Sequence, residues 1–341
     1  MRTATGTLSG ACGSVAMQQN RKVKARGDRQ RSSRSRLWPL AVGGVAMAGL
    51  AIANQVRARK AVRDNPPLGQ FIKVDGVCLH YLERGTGPVI LLVHGNGVML
   101  QDWIISGLFD ELAKTNRVIA VDRPGFGHSS RPRGTQWTPE RQADLMAGLL
   151  DQLEATPALA VGHSFGTQVV AAMALNHPDK VSGIVVAGGL FYPDPRADVL
   201  LVAGSAIPGY GDVLNHTLQP LLAEAIQKPV NRAIFGPAKT PDNWRRDFSW
   251  AMAARPTRMR AGAADAVHML PAARRIAKRL GEIKLPVAIV AGSGDRIVSP
   301  ARQSERLHRD IPHSRLRLVA GSGHMVHHSG FEAVAAAVRS L

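Results

Sequence analysis

The chain has 341 residues, of which 45% are apolar and 20% charged. That is enough apolar chain for one large domain with an insertion, and it excludes a disordered or collagen-like protein; with only Cys12 and Cys78 present it also excludes a disulfide scaffold. The formal charge of +18 is concentrated at the start, where residues 1–63 hold 13 of the 43 Lys and Arg and one of the 25 acidic residues; no aromatic residue interleaves with the basic run from Arg21 to Arg36, so no nucleic-acid partner is expected.

Residues 1–36 read as a basic disordered tail. The next 17 residues, Leu37 to Ala53, carry no charge. As a helix they would span about 25 Å, near the thickness of a bilayer core. Residues 37–56 are therefore expected to be a transmembrane signal-anchor helix, and the heavier positive flank on the N-terminal side would keep the tail in the cytoplasm and the following domain outside. Ala51-Ile52-Ala53 also has the small-x-small form of a signal-peptidase site, and cleavage there would give a secreted protein instead. Residues 57–70, with Asn65-Pro66-Pro67, read as a linker.

From Phe71 onward strand-like and helix-like stretches alternate, the pattern of a mostly parallel sheet covered by helices. Val89 to Val93 is a buried-strand candidate that runs into His94-Gly95-Asn96-Gly97. Ala158 to Val161 is another, followed by Gly162-His163-Ser164-Phe165-Gly166 and then by the helix-like stretch Thr167 to Asn176. A strand near Val181 to Ala187 is separated from the next, Leu285 to Ala291, by far more chain than one connecting helix needs. The excess is expected to be a helical cap over about residues 192–269, where Leu218, Leu221, Leu222 and Ile226 recur at helical spacing, as do Trp244, Phe248 and Met252 after Thr240-Pro241. The strand Leu285 to Ala291 enters Gly292-Ser293-Gly294-Asp295, and a last strand, Arg315 to Ala320, enters Gly321-Ser322-Gly323-His324.

Three of these loops fit one chemistry. A serine on a sharp strand-to-helix turn projects its hydroxyl above the sheet, and the flanking glycines let that turn pack. A serine hydroxyl is a weak nucleophile at neutral pH; it needs a histidine base, and the histidine needs an orienting carboxylate. Ser164, Asp295 and His324 occur in that order, each at the mouth of a strand. Asp194 and Asp198 are the rival acids, after the earlier strand. Backbone N–H groups of the loop after Val93, with that of Phe165, are placed to face a developing oxyanion.

On these pieces the chain resembles the α/β-hydrolase superfamily from about Phe71 to the C-terminus. The resemblance includes the His94-Gly95 loop, the run Asp122-Arg123-Pro124-Gly125-Phe126-Gly127-His128-Ser129, the serine elbow, the acid turn and the histidine loop. It implies an α/β-hydrolase fold, with a mostly parallel central sheet flanked by helices and a helical cap insertion. It implies Ser164 as nucleophile, Asp295 as acid and His324 as base, with the backbone of Asn96, or of Gly97, and of Phe165 as oxyanion donors. The His-Gly-Asn start is similar to that of epoxide hydrolases and haloalkane dehalogenases; those use an aspartate nucleophile where this chain has Ser164, so their chemistry does not carry over.

The expected activity is that of a membrane-anchored serine hydrolase, carboxylesterase-like or lipase-like, working through an acyl-enzyme. A carbon–carbon bond hydrolase acting on a diketone-like compound and a haloperoxidase-like perhydrolase keep the same triad; a non-catalytic binding protein would not need it. Trp103, Trp244 and Phe248 are expected to line the pocket, with Trp250 near it, which suits a small-molecule ester with an apolar group. His94, His163 and Asp122 are expected to hold their loops. No cofactor is needed, and without a His-Glu-x-x-His run or paired His/Cys spacing no metal is expected. The sequence does not fix an oligomeric state.

Overall fold

A computed structural model describes residue 38, residues 41–194 and residues 202–341. Residues 53–341 form one unit, built on an eight-stranded sheet: β1 (Gln70–Val74), β2 (Val77–Arg84), β3 (Val89–Val93), β4 (Arg117–Val121), β5 (Ala158–His163), β6 (Val181–Ala187), β7 (Val287–Gly292) and β8 (Arg315–Val319). The strands lie in the order β1-β2-β4-β3-β5-β6-β7-β8. β1 and β2 form a hairpin whose turn residues Asp75 and Gly76 both have positive φ, the geometry that matches the twist of antiparallel neighbours. β2 also runs antiparallel to β4, and all later pairings are parallel.

The middle strands are apolar along their whole length because both faces are covered. Alternate residues divide between two layers. Leu91, Val93, Ile119, Val121, Ala160 and Val186 pack under the helices Pro139–Gln152 and Phe165–Asn176. Ile90, Leu92, Val118, Ala120, Val161 and Val185 pack against Leu108–Leu112 and Phe331–Arg339 on the other face. The register aligns the carboxyl ends: Val93 lies opposite Gly162, His163 opposite Ala187, and Ala187 opposite Val290. Loops leaving those ends therefore meet at one edge of the sheet, where ligands bind in open α/β sheets.

Between β6 and β7 the described residues include the helices Tyr210–His216, Leu218–Ala225, Gln227–Phe235, Asp242–Asp247, Trp250–Ala253 and Pro256–Ala277. Two stripes differ from expectation. Trp244, Phe248 and Met252 are not on one helix, because the backbone turns extended at Phe248 (ψ 116°) and restarts at Trp250; all three nevertheless bury in one cluster with Phe235 and Met325. Leu218 and Leu222 face solvent rather than a core, and Ile226, also exposed, borders the cavity described below.

The N-terminal expectation is corrected. Among the described residues no helix is long and apolar enough to cross a membrane. Residues 41–64 are helical, so residues 57–64, expected as linker, continue a helix. The uncharged run ends after 17 residues, at Asn54, Gln55, Arg57, Arg59 and Lys60, and so reaches only the lower limit of the roughly 20 apolar residues a span requires. Within the unit 53–341, Asn54 is buried and its amide donates to the carbonyls of His216 and Thr217 at 3.0 and 2.7 Å, while Ala61 packs into the cluster around Trp244. The anchor, the membrane partner and the extracytoplasmic placement built on that run have no support. The basic tail 1–36, with Cys12, lies outside the described residues; Cys78 is a free, exposed thiol.

Candidate active site

β5 ends at His163, and the helix Phe165–Asn176 starts two residues later. The turn between them forces Ser164 to φ 51°, ψ −119°, a region that non-glycine residues rarely occupy. Glycine is required on both sides. A Cβ on Gly162 would sit 2.5 Å from the carbonyl oxygen of Gly166, and one on Gly166 would sit 2.2 Å from that of Val93. The Ser164 N–H donates to Ala187 at the end of β6, 3.0 Å, which ties the turn to the sheet.

The Ser164 hydroxyl lies 2.9 Å from Nε2 of His324, and Nδ1 of His324 lies 2.8 Å from Oδ2 of Asp295. With Nδ1–H donating to the carboxylate, Nε2 is free to accept the serine proton. The other oxygen of Asp295 accepts the N–H groups of Ile297 and Val298 at 2.8 and 2.9 Å, so backbone donors fix the carboxylate in one orientation. The glycines before Asp295 and His324 let their loops touch: a Cβ on Gly292 would meet Gly323 O at 2.3 Å. Asp194 is elsewhere, paired with Arg302 at 3.1 Å, and Asp198 lies outside the described residues.

Phe165 opens its helix, so its N–H is among the first four that have no intrahelical partner. Asn96 and Gly97 line the same cavity as Ser164. The Asn96 amide donates to Gly262 O in the last cap helix, 3.0 Å, holding the loop from above. Arg123 holds it from below. Its guanidinium donates to the carbonyls of His94 and Gly95 at 2.9 and 3.0 Å, and it lies 4.5 Å from the ring centres of both Phe126 and Phe165. Asp265 balances this buried charge, its two oxygens taken by Arg123 at 2.5 Å and Arg131 at 2.9 Å.

His94 and His163 sit in these loops as hydrogen-bonding groups. Nδ1–H of His94 donates to Gly95 O at 2.8 Å while Nε2 accepts from the Arg123 N–H at 3.0 Å. Burial, then the Arg123 charge, push its pKa down to about 4, so the ring is neutral. Burial likewise holds His163 well below the usual histidine range. Asp122 accepts from the N–H groups of Leu100 and His128 and pairs with Nδ1 of His80 at 2.6 Å.

Trp103 is a correction. It is fully buried and absent from the cavity wall; it packs behind the site, its ring centre 4.8 Å from that of His327 and 6.5 Å from that of His163. Trp244 and Phe248 do line the cavity, stacked with ring centres 4.1 Å apart and planes nearly parallel, with Trp250 beside them. The cavity is about 220 Å³, and Ile226, Val230, Ile234, Met259 and Met325 make most of its remaining wall apolar.

A model of the alpha/beta hydrolase fold matches residues 88–331. The chain belongs to the α/β-hydrolase family. Among its relatives, a 2-hydroxymuconate semialdehyde hydrolase of Pseudomonas sp. is 36% identical over 136 residues, 39% of this chain and 48% of that protein. This chain thus spans only about half the length of that relative. A 2-hydroxy-6-oxo-2,4-heptadienoate hydrolase of Pseudomonas putida is 27% identical over 263 residues, covering 77% of this chain and 91% of that protein. In fold the chain is similar to the enol-lactonase of Burkholderia xenovorans, with TM-score 0.65 and 24% identity over 80% of this chain and 98% of the other.

In this α/β hydrolase several residues at the site have no sequence signal. Behind the triad, the buried Asp102 accepts from Nε2 of His327 at 2.9 Å and of His328 at 2.7 Å. Burial alone would raise its pKa, but these two rings hold it below the usual carboxylate range, as an anion. His328 in turn stands edge-on to Trp244, ring centres 5.2 Å apart, so the network reaches the cavity wall. Arg123 lies within a recognisable run, but its partner Asp265, and Arg258 on the cavity wall, do not.

Proposed function

We propose that this chain is a serine hydrolase that cleaves a carboxylic ester with an apolar group through an acyl-enzyme. The observation that carries the reading is the unbroken chain from Asp295 through His324 to the Ser164 hydroxyl, at 2.8 and 2.9 Å. Ser164 Oγ attacks the carbonyl carbon as His324 Nε2 takes its proton, and Asp295 stabilises the imidazolium. The oxyanion is met by the N–H groups of Asn96 and Phe165. The alkoxide leaves with the proton from His324. Water, losing a proton to the same nitrogen, then releases the acid and frees Ser164.

The test is labelling by a fluorophosphonate probe followed by a screen of acyl esters. Wild type is expected to label and to turn over at least one ester, and Ser164→Ala to lose both while keeping its melting temperature. Labelling that survives in Ser164→Ala overturns the assignment. A second reading, hydrolysis of a carbon–carbon bond beside a ketone, is favoured by the names of the two Pseudomonas relatives. It uses the same nucleophile and is distinguished by turnover of a 2-hydroxy-6-oxo-dienoate, followed by loss of its conjugated absorbance.

A further inference from the structure

The cavity above Ser164 is apolar except at one wall, and that wall carries a cation without a counter-ion. Arg258, in the first turn of the helix Pro256–Ala277, lines the cavity together with Asn96, Gly97 and Ser164. Its Nη2 presses on the loop proposed to hold the oxyanion: a Cβ on Gly97 would be only 2.9 Å from it. Among the described residues no carboxylate lies within ion-pair distance of Arg258. The nearest candidate, Asp265, has both oxygens occupied by Arg123 and Arg131. Among the described residues the one hydrogen-bond partner of the guanidinium is the thioether of Met259, 3.6 Å away, and its Nε is shut off from solvent with no acceptor.

The surroundings add to the imbalance. Arg123 and Arg255 lie near, while Asp122, which faces Arg255, is engaged with His80. Burial, and after it the charges of Arg123 and Arg255, lower the Arg258 pKa to about 10, which still leaves it a cation at neutral pH. Arg258 is partly buried, with its Nε sealed and the rest of the guanidinium facing the cavity; a partly desolvated charge without a partner is unfavourable, and an anion entering the cavity would complete it.

We infer that Arg258 is a substrate-binding residue that pairs with a carboxylate on the substrate, so that the preferred substrates are acyl compounds bearing both an apolar group and a negative charge within a few bonds of the reacting carbonyl. This rests on the hydrolase reading above and narrows its substrate class. Guanidinium and carboxylate match as a two-point pair, which also fixes the register of the carbonyl over Ser164.

The kinetic test compares a charged and a neutral ester of similar size, 4-nitrophenyl hemiglutarate and 4-nitrophenyl pentanoate, in the full chain. A second pair, butyryl glycolate and butyryl ethanol, moves the charge to the alcohol side. Wild type is expected to favour the charged member of one pair. In Arg258→Met the ratio of kcat/KM, charged over neutral, is expected to fall by about thirtyfold or more, with part of the ratio kept in Arg258→Lys. Arg258→Gln provides the same comparison should Arg258→Met fail to fold. A ratio that stays constant while both rates fall together would assign Arg258 to the oxyanion or to the fold and overturn the proposal.

An equilibrium arm keeps the two readings apart. Binding of 4-phenylbutyrate and of its neutral amide to Ser164→Ala is measured by calorimetry. The acid is expected to bind at least about tenfold tighter, and the difference to vanish when Arg258→Met is added. If no ester is turned over yet this preference is found, the hydrolase reading fails and the anion site stands; equal binding of acid and amide sinks the anion site whatever the kinetics show.

Discussion

His163 Nε2 lies 3.1 Å from the carbonyl oxygen of His324. The residue before the elbow serine thus holds the backbone of the residue whose ring faces that serine. Their rings are also packed, with centres 5.0 Å apart. Because burial keeps His163 neutral, it acts here as a fixed donor and not as a proton carrier.

His163→Leu keeps most of the volume and removes the donor. The base loop then loses its tie to the elbow, and turnover is expected to fall by about ten- to a hundredfold, as a misplacement on the scale of an ångström does. The loss should appear in kcat with KM little changed, and His163→Gln, which restores an N–H donor, should recover part of it. Equal losses in kcat for the Leu and Gln variants would mean that the ring matters for packing alone.

Asp295 and Asp194 separate cleanly. Asp295→Asn removes the charge facing Nδ1 of His324 and favours the wrong tautomer, so turnover is expected to drop by about 10⁴ with binding largely kept. Asp194 makes a surface pair with Arg302, whose side chain is 70% exposed. Asp194→Asn should change stability by no more than about 0.5 kcal/mol and leave the rate alone. A silent Asp295→Asn in steady-state ester assays would return the acid to the earlier strand.

The hydrogen-bonded set of Ser164, His324 and Asp295, the candidate triad, was legible because each member lies just past a strand, in a glycine-bearing loop, and in a fixed chain order. That context is local, and sequence carries local context well. Asp102 with His327, and Arg123 with Asp265, are pairs more than a hundred residues apart with no spacing to betray them. Trp103 was misplaced for the same reason: nearness in sequence to the oxyanion loop says nothing of which side of the sheet end a ring packs on. The N-terminal run was misread because an uncharged stretch reports that a helix is apolar, not what it faces. Asn54, buried just beyond that run, is an ordinary asparagine until its bonds to His216 and Thr217 are seen.

Those bonds make a prediction of their own. The Asn54 amide satisfies two carbonyls, of His216 and Thr217, at the end of the cap helix Tyr210–His216. Asn54→Ala strands them in a buried place and should cost about 1–3 kcal/mol. Deleting residues 1–64 should do more, lowering the melting temperature and the ester rate together, because Ala61 is lost from the cluster that holds Trp244 and Phe248. A fully active, undiminished protein starting at Asn65 would show that the helix is dispensable to the cap.

Stability should fall in mild acid. His94, buried and with a pKa of about 4, cannot take the proton that an unfolded histidine takes near pH 6.5. His163 and His327 are lowered in the same direction by burial. The unfolded chain therefore binds more protons than the native one, so stability is full above about pH 6.5 and declines as pH falls towards 4, with His94 alone contributing about 3 kcal/mol of the decline. Urea midpoints at pH 7.5, 5.5 and 4.5 measure it. A flat profile would mean that these rings are protonated in the folded protein.

Phe248 tests what the cap does for selectivity. It is 5% exposed, lies stacked on Trp244, and borders the cavity over Ser164. Truncating it opens the chamber at the aromatic wall. Phe248→Ala should cost about 3–5 kcal/mol of stability through the lost burial and the space left behind. It should also change selectivity, since a chamber of about 220 Å³ limits the length of an apolar chain that enters it. The ratio of kcat/KM for an octanoate over a butyrate ester is expected to rise about tenfold, the size of effect that a few methylene groups produce in an apolar pocket. Phe248→Leu should give an intermediate ratio with a smaller loss of stability. An unchanged ratio in both variants, with only the stability falling, would place Phe248 among the packing residues of the cap and leave the chain-length limit to Trp244 and Trp250.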